Sequence, residues 1–218
     1  MTTNNIDNSA TEYLDALLKG DRAQCSLIAK QFHLVNPALM DLYEKVFKVS
    51  LYEIGKLWEN NKITITAEHI ATAITEGILN EYFEQLFAQK KYNKKVVLAC
   101  VENEKHQVGI KMVADVFELN GWESYFPGVE IPNFEILHYI KQLNPDLVAI
   151  SLSVYFNYQN LVHLIDGIKS EFPNVVILVG GQAFKHLTPQ NIKQLGNVTH
   201  ITDLYFLDRF LKSINTND

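Results

Sequence analysis

VVLACVENEKHQVG, residues 96–109, decides how the second half of this chain is read. Val96 to Val101 are six consecutive apolar residues, a run of the length and character of a strand covered on both faces. A polar turn follows, and from Val108 to Leu119 the apolar residues recur at helical spacing. Strand, tight turn and helix make the opening of a βαβ unit. The turn lies at the strand's carboxyl end, which is where open parallel sheets bind their ligands.

Outward from that unit the alternation continues. A short ESYFPG (123–128) precedes a helical pattern over 134–143; DLVAISLS (146–153) precedes one over 158–172; VVILVGG (175–181) is followed by a last helix near 204–214. This is the signature of a Rossmann-like (flavodoxin-like) parallel sheet with helices on both faces. From Ser9 to Gln89 the spacing is three and four instead, as at Tyr13, Leu14, Leu17, Leu18 and again at Leu39, Leu42, Val46 and Val49. Asn36-Pro37 reads as a helix start, and NNKIT (60–64) breaks that helix. Thr64 or Thr66 can cap a further helix over 67–89, so the expected architecture is a four-helix bundle followed by the sheet domain. KKYNKK (90–95) reads as a solvated linker, which places the boundary between a cap domain, 1–90, and an α/β domain, 91–218.

The chain has 218 residues, is 47% hydrophobic and carries a formal net charge of -6 with 19 scattered basic residues. Phosphate neutralisation needs clustered Lys and Arg, so direct nucleic-acid binding is not expected. No apolar run approaches the ~20 residues that span a bilayer, so no membrane insertion is expected. Cys25 and Cys100 form no CxxC pair and no secretory signal precedes them, which points to a reducing cytoplasm.

The strand-end turns carry the chemistry. The first has Glu102, Asn103, Glu104 and Lys105 where a dinucleotide site needs glycines, and neither GxxxxGK[ST] nor GxSxG occurs. What remains is Glu104, His106 and Gly109 on one turn, Ser151 and Ser153 on a second, and Gly180 with Gly181 on a third. A neutral imidazole is a common metal ligand, and a carboxylate two residues away can take its other N–H. Paired glycines let something bulky approach the backbone, and serine offers a hydroxyl to a buried polar atom. Alone, His106 reads as a helix-capping or solvent-facing residue; the three loops together favour a ligand.

ExHxxG, then a serine at a later strand end, then GG, resembles the cobalamin-binding domain of methionine synthase, corrinoid methyl carriers and mutases, whose first motif is usually DxHxxG. The resemblance implies that His106 is the lower cobalt ligand and that Glu104 hydrogen-bonds it. It further implies that Ser153, Gly180 and Gly181 line the slot for the nucleotide tail and that Gly128 faces the corrin. Where the family has SxL this chain has Ser153, Val154 and Tyr155, so Tyr155 reshapes the slot. His33, His138, His163, His186 and His200 have no partners at ligand spacing and read as structural or exposed.

The helical half adds Trp58, nine residues, then Glu68 and His69. On spacing alone these are a buried anchor tryptophan and a glutamate at a helix N-terminus. With a cobalamin domain behind it, the pattern resembles the cap of adenosylcobalamin-dependent photoreceptors, the light-sensing repressors. By that resemblance Trp58 packs on the upper ligand, Glu68 bonds the ribose hydroxyls and His69 stands beside them. Those repressors carry an N-terminal winged helix, absent from this sequence, and a histidine after the tryptophan where Glu59 stands here. The expectation is a non-catalytic adenosylcobalamin sensor that signals through a regulatory partner or self-association. A corrinoid methyl carrier and a non-photochemical antirepressor that also holds hydroxocobalamin are the alternatives, with methylcobalamin the carrier's form.

Overall fold

A computed structural model of the chain describes residues 2–86 and 90–215, with side chains from residue 8 onward. It divides into two compact units, residues 1–85 and 86–218. The first is built from α1 (Thr2–Leu18), α2 (Arg22–Val35), α3 (Leu39–Leu42), α4 (Lys48–Glu59) and α5 (Ile65–Leu79). A π-helical turn, Tyr43–Phe47, fuses α3 to α4, so four rods form the expected bundle. Tyr13, Leu17, Leu42, Tyr43, Phe47, Ile54 and Ile78 are its fully buried core. Two polar contacts fix its interior: Tyr13 Oη donates to Thr75 Oγ1 at 3.2 Å, and Ser50 Oγ donates to the Ala10 carbonyl at 3.0 Å.

Three local expectations change. Asn36 does not open a helix; it closes α2, its Nδ2 donating to the Phe32 carbonyl at 3.1 Å. The helix expected over 67–89 starts at Ile65, with Thr64 as its cap, and ends at Leu79, where a 3-10 turn, Asn80–Leu86, takes over. Asn80 is a poor helix former, and its N–H bonds back to the Glu76 and Ile78 carbonyls in the tighter geometry. Residues 87–89 lie outside the described residues. KKYNKK is exposed at Lys90, Lys91 and Asn93, as a solvated segment should be, but its other residues are tied into the sheet domain. Tyr92 N–H donates to the Gly121 carbonyl at 3.0 Å, the Lys94 ammonium reaches the Ile214 carbonyl at 3.3 Å, and Lys95 is the first residue of a strand.

That strand, β1 (Lys95–Cys100), joins β2 (Glu123–Tyr125), β3 (Leu147–Ser151), β4 (Val176–Gly180) and β5 (Thr199–His200) in one parallel sheet. The strand order is β2-β1-β3-β4-β5, the flavodoxin-like winding expected from the alternation. The two-residue β5 was not legible, because Thr199 and His200 form no apolar run. The connecting helices are α6 (Val108–Leu119), α7 (Asn133–Leu143), α8 (Tyr158–Glu171), α9 (Pro189–Gln194) and α10 (Leu204–Asn215). Leu161, Leu164, Ile165 and Ile168 of α8 are buried against Val97, Val148, Ile150 and Val179 of the sheet, each worth about 1.5–3 kcal/mol of transfer free energy. Register then aligns the functional ends. Cys100 pairs with Ser151 and Ser151 with Gly180, so the turns after β1, β3 and β4 leave the sheet side by side.

The turns after β3 and β4 also touch. Leu152 N–H donates to the Gly180 carbonyl at 2.9 Å, and a Cβ on Gly181 would stand 2.2 Å from the Leu152 carbonyl oxygen. Gly181 has φ +116, a conformation that side chains oppose. Its missing side chain is therefore used by the Leu152 backbone. Gly181→Ala should cost at least ~2 kcal/mol, read as a lower denaturation midpoint of the apoprotein, and an unchanged midpoint would contradict this close packing.

Candidate functional site

β1 delivers the chain into a turn in which Glu104 N–H donates to the Val101 carbonyl at 3.0 Å and Asn103 takes φ +66. The turn aims Glu104 inward, where its side chain is only 1% exposed, while His106 remains 56% exposed. Glu104 Oε1 accepts from the backbone N–H of Lys105 at 3.1 Å, from that of His106 at 3.2 Å, and from His106 Nδ1. Oε2 accepts from the backbone N–H groups of Ser153 and Val154, both at 2.9 Å. One buried carboxylate thus ties the turn after β1 to the turn after β3. Burial opposes its ionisation, but the hydrogen bonds from His106 and Val154, with the imidazole's charge, outweigh it and hold the carboxyl below its ordinary value.

The same contact sets the imidazole. With Nδ1–H donated to Glu104, a ring that gives up its other proton carries its lone pair on Nε2, the atom able to bind a metal. Cys100 does not compete. Its thiol donates to the His106 carbonyl at 3.6 Å, and burial beside Glu104 pushes it up to about 12. Among the described residues no group of three His, Cys, Asp or Glu could hold a bare metal ion. A single oriented histidine suits a metal that arrives with its other donors in a cofactor.

The remaining expected residues fall into place unevenly. Gly109, in the first turn of α6, and Gly128, at φ +104, both face open space, with nothing within 4 Å of where a Cβ would be. A flat group can approach the backbone at both. Ser153 meets Glu104 through its backbone N–H. Tyr155 is half-exposed and lies near-parallel to Tyr158, ring centres 6.4 Å apart, so it stacks within its own turn. Trp58, Glu68 and His69 belong to the helical unit, at the end where α4 hands over to α5. Trp58 is 42% exposed, so it is not a buried anchor. Glu68 accepts from His69 Nδ1 at 2.5 Å and from Thr72 Oγ1 at 3.0 Å. Of the other histidines, His33 meets Gln85 at 2.8 Å, His138 meets Gln142 at 2.9 Å, and His200 stacks on Phe184.

Two residues of the site escaped the sequence reading. Asn160 Nδ2 donates to the Glu102 carbonyl at 2.8 Å and Asn157 Nδ2 to the Asn103 carbonyl at 3.3 Å. Both line a cleft of about 780 Å³ that also touches Glu104, His106, Val154 and Phe156. In the sequence they carry no signal: Asn157 stands just before and Asn160 just inside the helical pattern over 158–172.

Comparison with known proteins follows the same division. Residues 94–200 match a family model described as B12 binding domain, and residues 10–82 match a second with the same description. Between them the two models cover both units of the chain. Among relatives, a dimethylamine corrinoid protein of Methanosarcina acetivorans is 24% identical over 65% of this chain and 68% of its own length. The HTH-type transcriptional repressor CarH of Myxococcus xanthus is 22% identical over 65% of this chain, which spans about half of that repressor, 47%. The solved monomethylamine corrinoid protein of Methanosarcina barkeri superposes with a TM-score of 0.78 at 16% identity, over 93% of this chain and 96% of that one. The fold of that corrinoid protein is therefore this chain's fold.

The depressed Glu104 carboxyl has a pH consequence. Its stabilisation is fully present above the ordinary carboxylate value of the unfolded chain and is lost as pH falls through the lower folded value. In urea unfolding of the apoprotein between about pH 7 and about pH 3, wild type should exceed Glu104→Gln near neutrality and the gap should close in acid. A gap independent of pH would contradict the assignment.

Proposed function

We propose that this chain holds adenosylcobalamin with His106 as the lower cobalt ligand and works as a light-responsive regulator, not as an enzyme. Glu104 fixes the tautomer of His106, while Gly109 and Gly128 leave room for the corrin. Ser153, Gly180, Gly181 and Tyr155 are assigned to the turns that receive the nucleotide tail. The observation that carries the adenosyl reading is the cap pattern: a half-exposed Trp58 at the end of α4, and Glu68 with His69 in the opening turns of α5. An exposed indole offers a flat apolar face to an upper ligand, and Glu68, already an acceptor for two donors, can exchange them for ribose hydroxyls. The likeness to CarH over 65% of this chain supports the reading.

Bound adenosylcobalamin would supply a cobalt–carbon bond that visible light can break. Loss of a bulky upper ligand changes which arrangement of the protein is favoured, which is the differential contact a switch requires. Output then passes through a protein partner or through self-association. A glutamate, Glu59, follows the tryptophan, and a carboxylate is a poor ligand for that metal beside imidazole, so water or His69 is the expected upper ligand after illumination.

A corrinoid methyl-carrier subunit is the second reading. The amine corrinoid proteins of Methanosarcina, among them one whose solved structure superposes over 93% of this chain, favour it.

Protein loaded with adenosylcobalamin in the dark and then exposed to green light should change both its visible spectrum and its elution volume on a sizing column. Trp58→Ala should retain the adenosyl form about tenfold less well and leave hydroxocobalamin binding unaltered, a loss of the size expected when an aromatic contact is removed. An elution volume indifferent to light, with methylcobalamin held more tightly than adenosylcobalamin, would reject the sensor in favour of the carrier.

A further inference from the structure

The asparagines at the start of α8 are spent in an unusual way. Asn157 ends the 3-10 turn Tyr155–Asn157 that runs straight into α8, and at φ -85, ψ 9 it lacks the extended backbone from which a cap side chain reaches a helix N–H, so its amide makes no capping bond. Asn160, three residues on, stands where a capping box would bond back to the cap. At α9, by contrast, Thr188 has the extended backbone of a cap, φ -75 and ψ 159, and forms the reciprocal box with Asn191. At α8 both amide groups are turned away from the helix and donate to consecutive carbonyls of the turn after β1, Glu102 and Asn103. Asn160 is itself held, its backbone carbonyl accepting from Asn133 Nδ2 at 3.3 Å.

These bonds flank the Glu104 carboxylate, which grips the same two turns through Ser153 and Val154. Four hydrogen bonds therefore join the turn after β1 to the segment from Ser153 to Asn160 within the protein alone. The turn is thereby held at three consecutive residues just ahead of His106: the Glu102 and Asn103 carbonyls and the Glu104 side chain. Asn157 is 8% exposed, so its bond is shielded from water.

We infer that Asn157 and Asn160 are positioning residues for His106, clamping the 102–106 turn in its ligand-ready form before any corrinoid arrives. The inference rests on His106 being the cobalt ligand, as proposed above. A turn that is already ordered has no ordering cost at binding, so the clamp raises corrinoid affinity without touching the corrinoid.

The test compares wild type, Asn160→Ala, Asn157→Ala and the double variant. Amide hydrogen exchange of the apoprotein is followed over 102–106 and 153–154, with β3 and β4 as internal controls. Each single variant should exchange about fivefold faster in those segments and the double variant about thirtyfold, with unchanged control strands, as expected for one and two lost hydrogen bonds. Hydroxocobalamin should bind the double variant more weakly by a comparable factor, and a larger share of the bound cofactor should keep the absorption of the form not ligated by histidine. Exchange equal to wild type would overturn the inference, as would faster exchange with unaltered affinity and spectrum. If wild type and His106→Ala bind hydroxocobalamin with identical spectra, the ligand assignment itself fails and the inference falls with it. That outcome is distinct from one in which only the asparagine variants behave as wild type.

Discussion

The Glu104 carboxylate is the contact on which the site depends. It is almost wholly buried, and it is kept ionised by five N–H donors drawn from two turns that are some fifty residues apart in sequence. A buried charge with fewer partners would be costly, and the same carboxylate with these partners becomes a rivet. The backbone donors settle where the turns sit, and the imidazole donor settles which nitrogen of His106 keeps its lone pair. A shorter carboxylate side chain would have one methylene less with which to reach Ser153 and Val154 while still meeting His106.

Everything that makes this contact possible lies deeper in the fold. Val96 to Cys100, Leu147 to Ser151 and Val176 to Gly180 pair in register, which brings three turns out of the sheet together. Gly181 then lets the third turn press on Leu152, so the segment carrying Ser153 and Val154 is supported from behind while Glu104 holds it in front. The asparagines at the start of α8 complete the frame. Function, on the proposed reading, follows from a rigid lower face in the sheet domain and a regulated upper ligand attended by Trp58, Glu68 and His69.

Much of this was legible in the residues. Apolar runs broken by helical spacing gave the sheet and its winding, because strands buried on both faces have no other composition to use. Glu104, His106 and Gly109 were visible as a turn that carries chemistry instead of phosphate-binding glycines. Other features were hidden for physical reasons. Thr199 and His200 form a strand by pairing with β4, with no apolar run of their own. Ser153 attracted notice for its hydroxyl, whereas its backbone N–H is what meets Glu104, and a backbone contact leaves no mark on residue identity. Asn157 and Asn160 gave no signal, since the same letters serve a helix end or a neighbouring turn and only the tertiary partner decides between them. KKYNKK looked solvated by charge, yet its backbone and its lysine stems belong to the sheet domain.

The central claim is that His106 Nε2, presented by Glu104, binds cobalt from below. Electron paramagnetic resonance of the protein holding cobalamin in its cobalt(II) state, made once with ordinary and once with ¹⁵N-labelled histidine, tests it directly. The account predicts that the nitrogen splitting on the cobalt signal changes from triplet to doublet on labelling, and that Glu104→Gln weakens the labelled signal. A triplet indifferent to the label would show that the cofactor's own base, not His106, occupies the lower position, and would contradict the account.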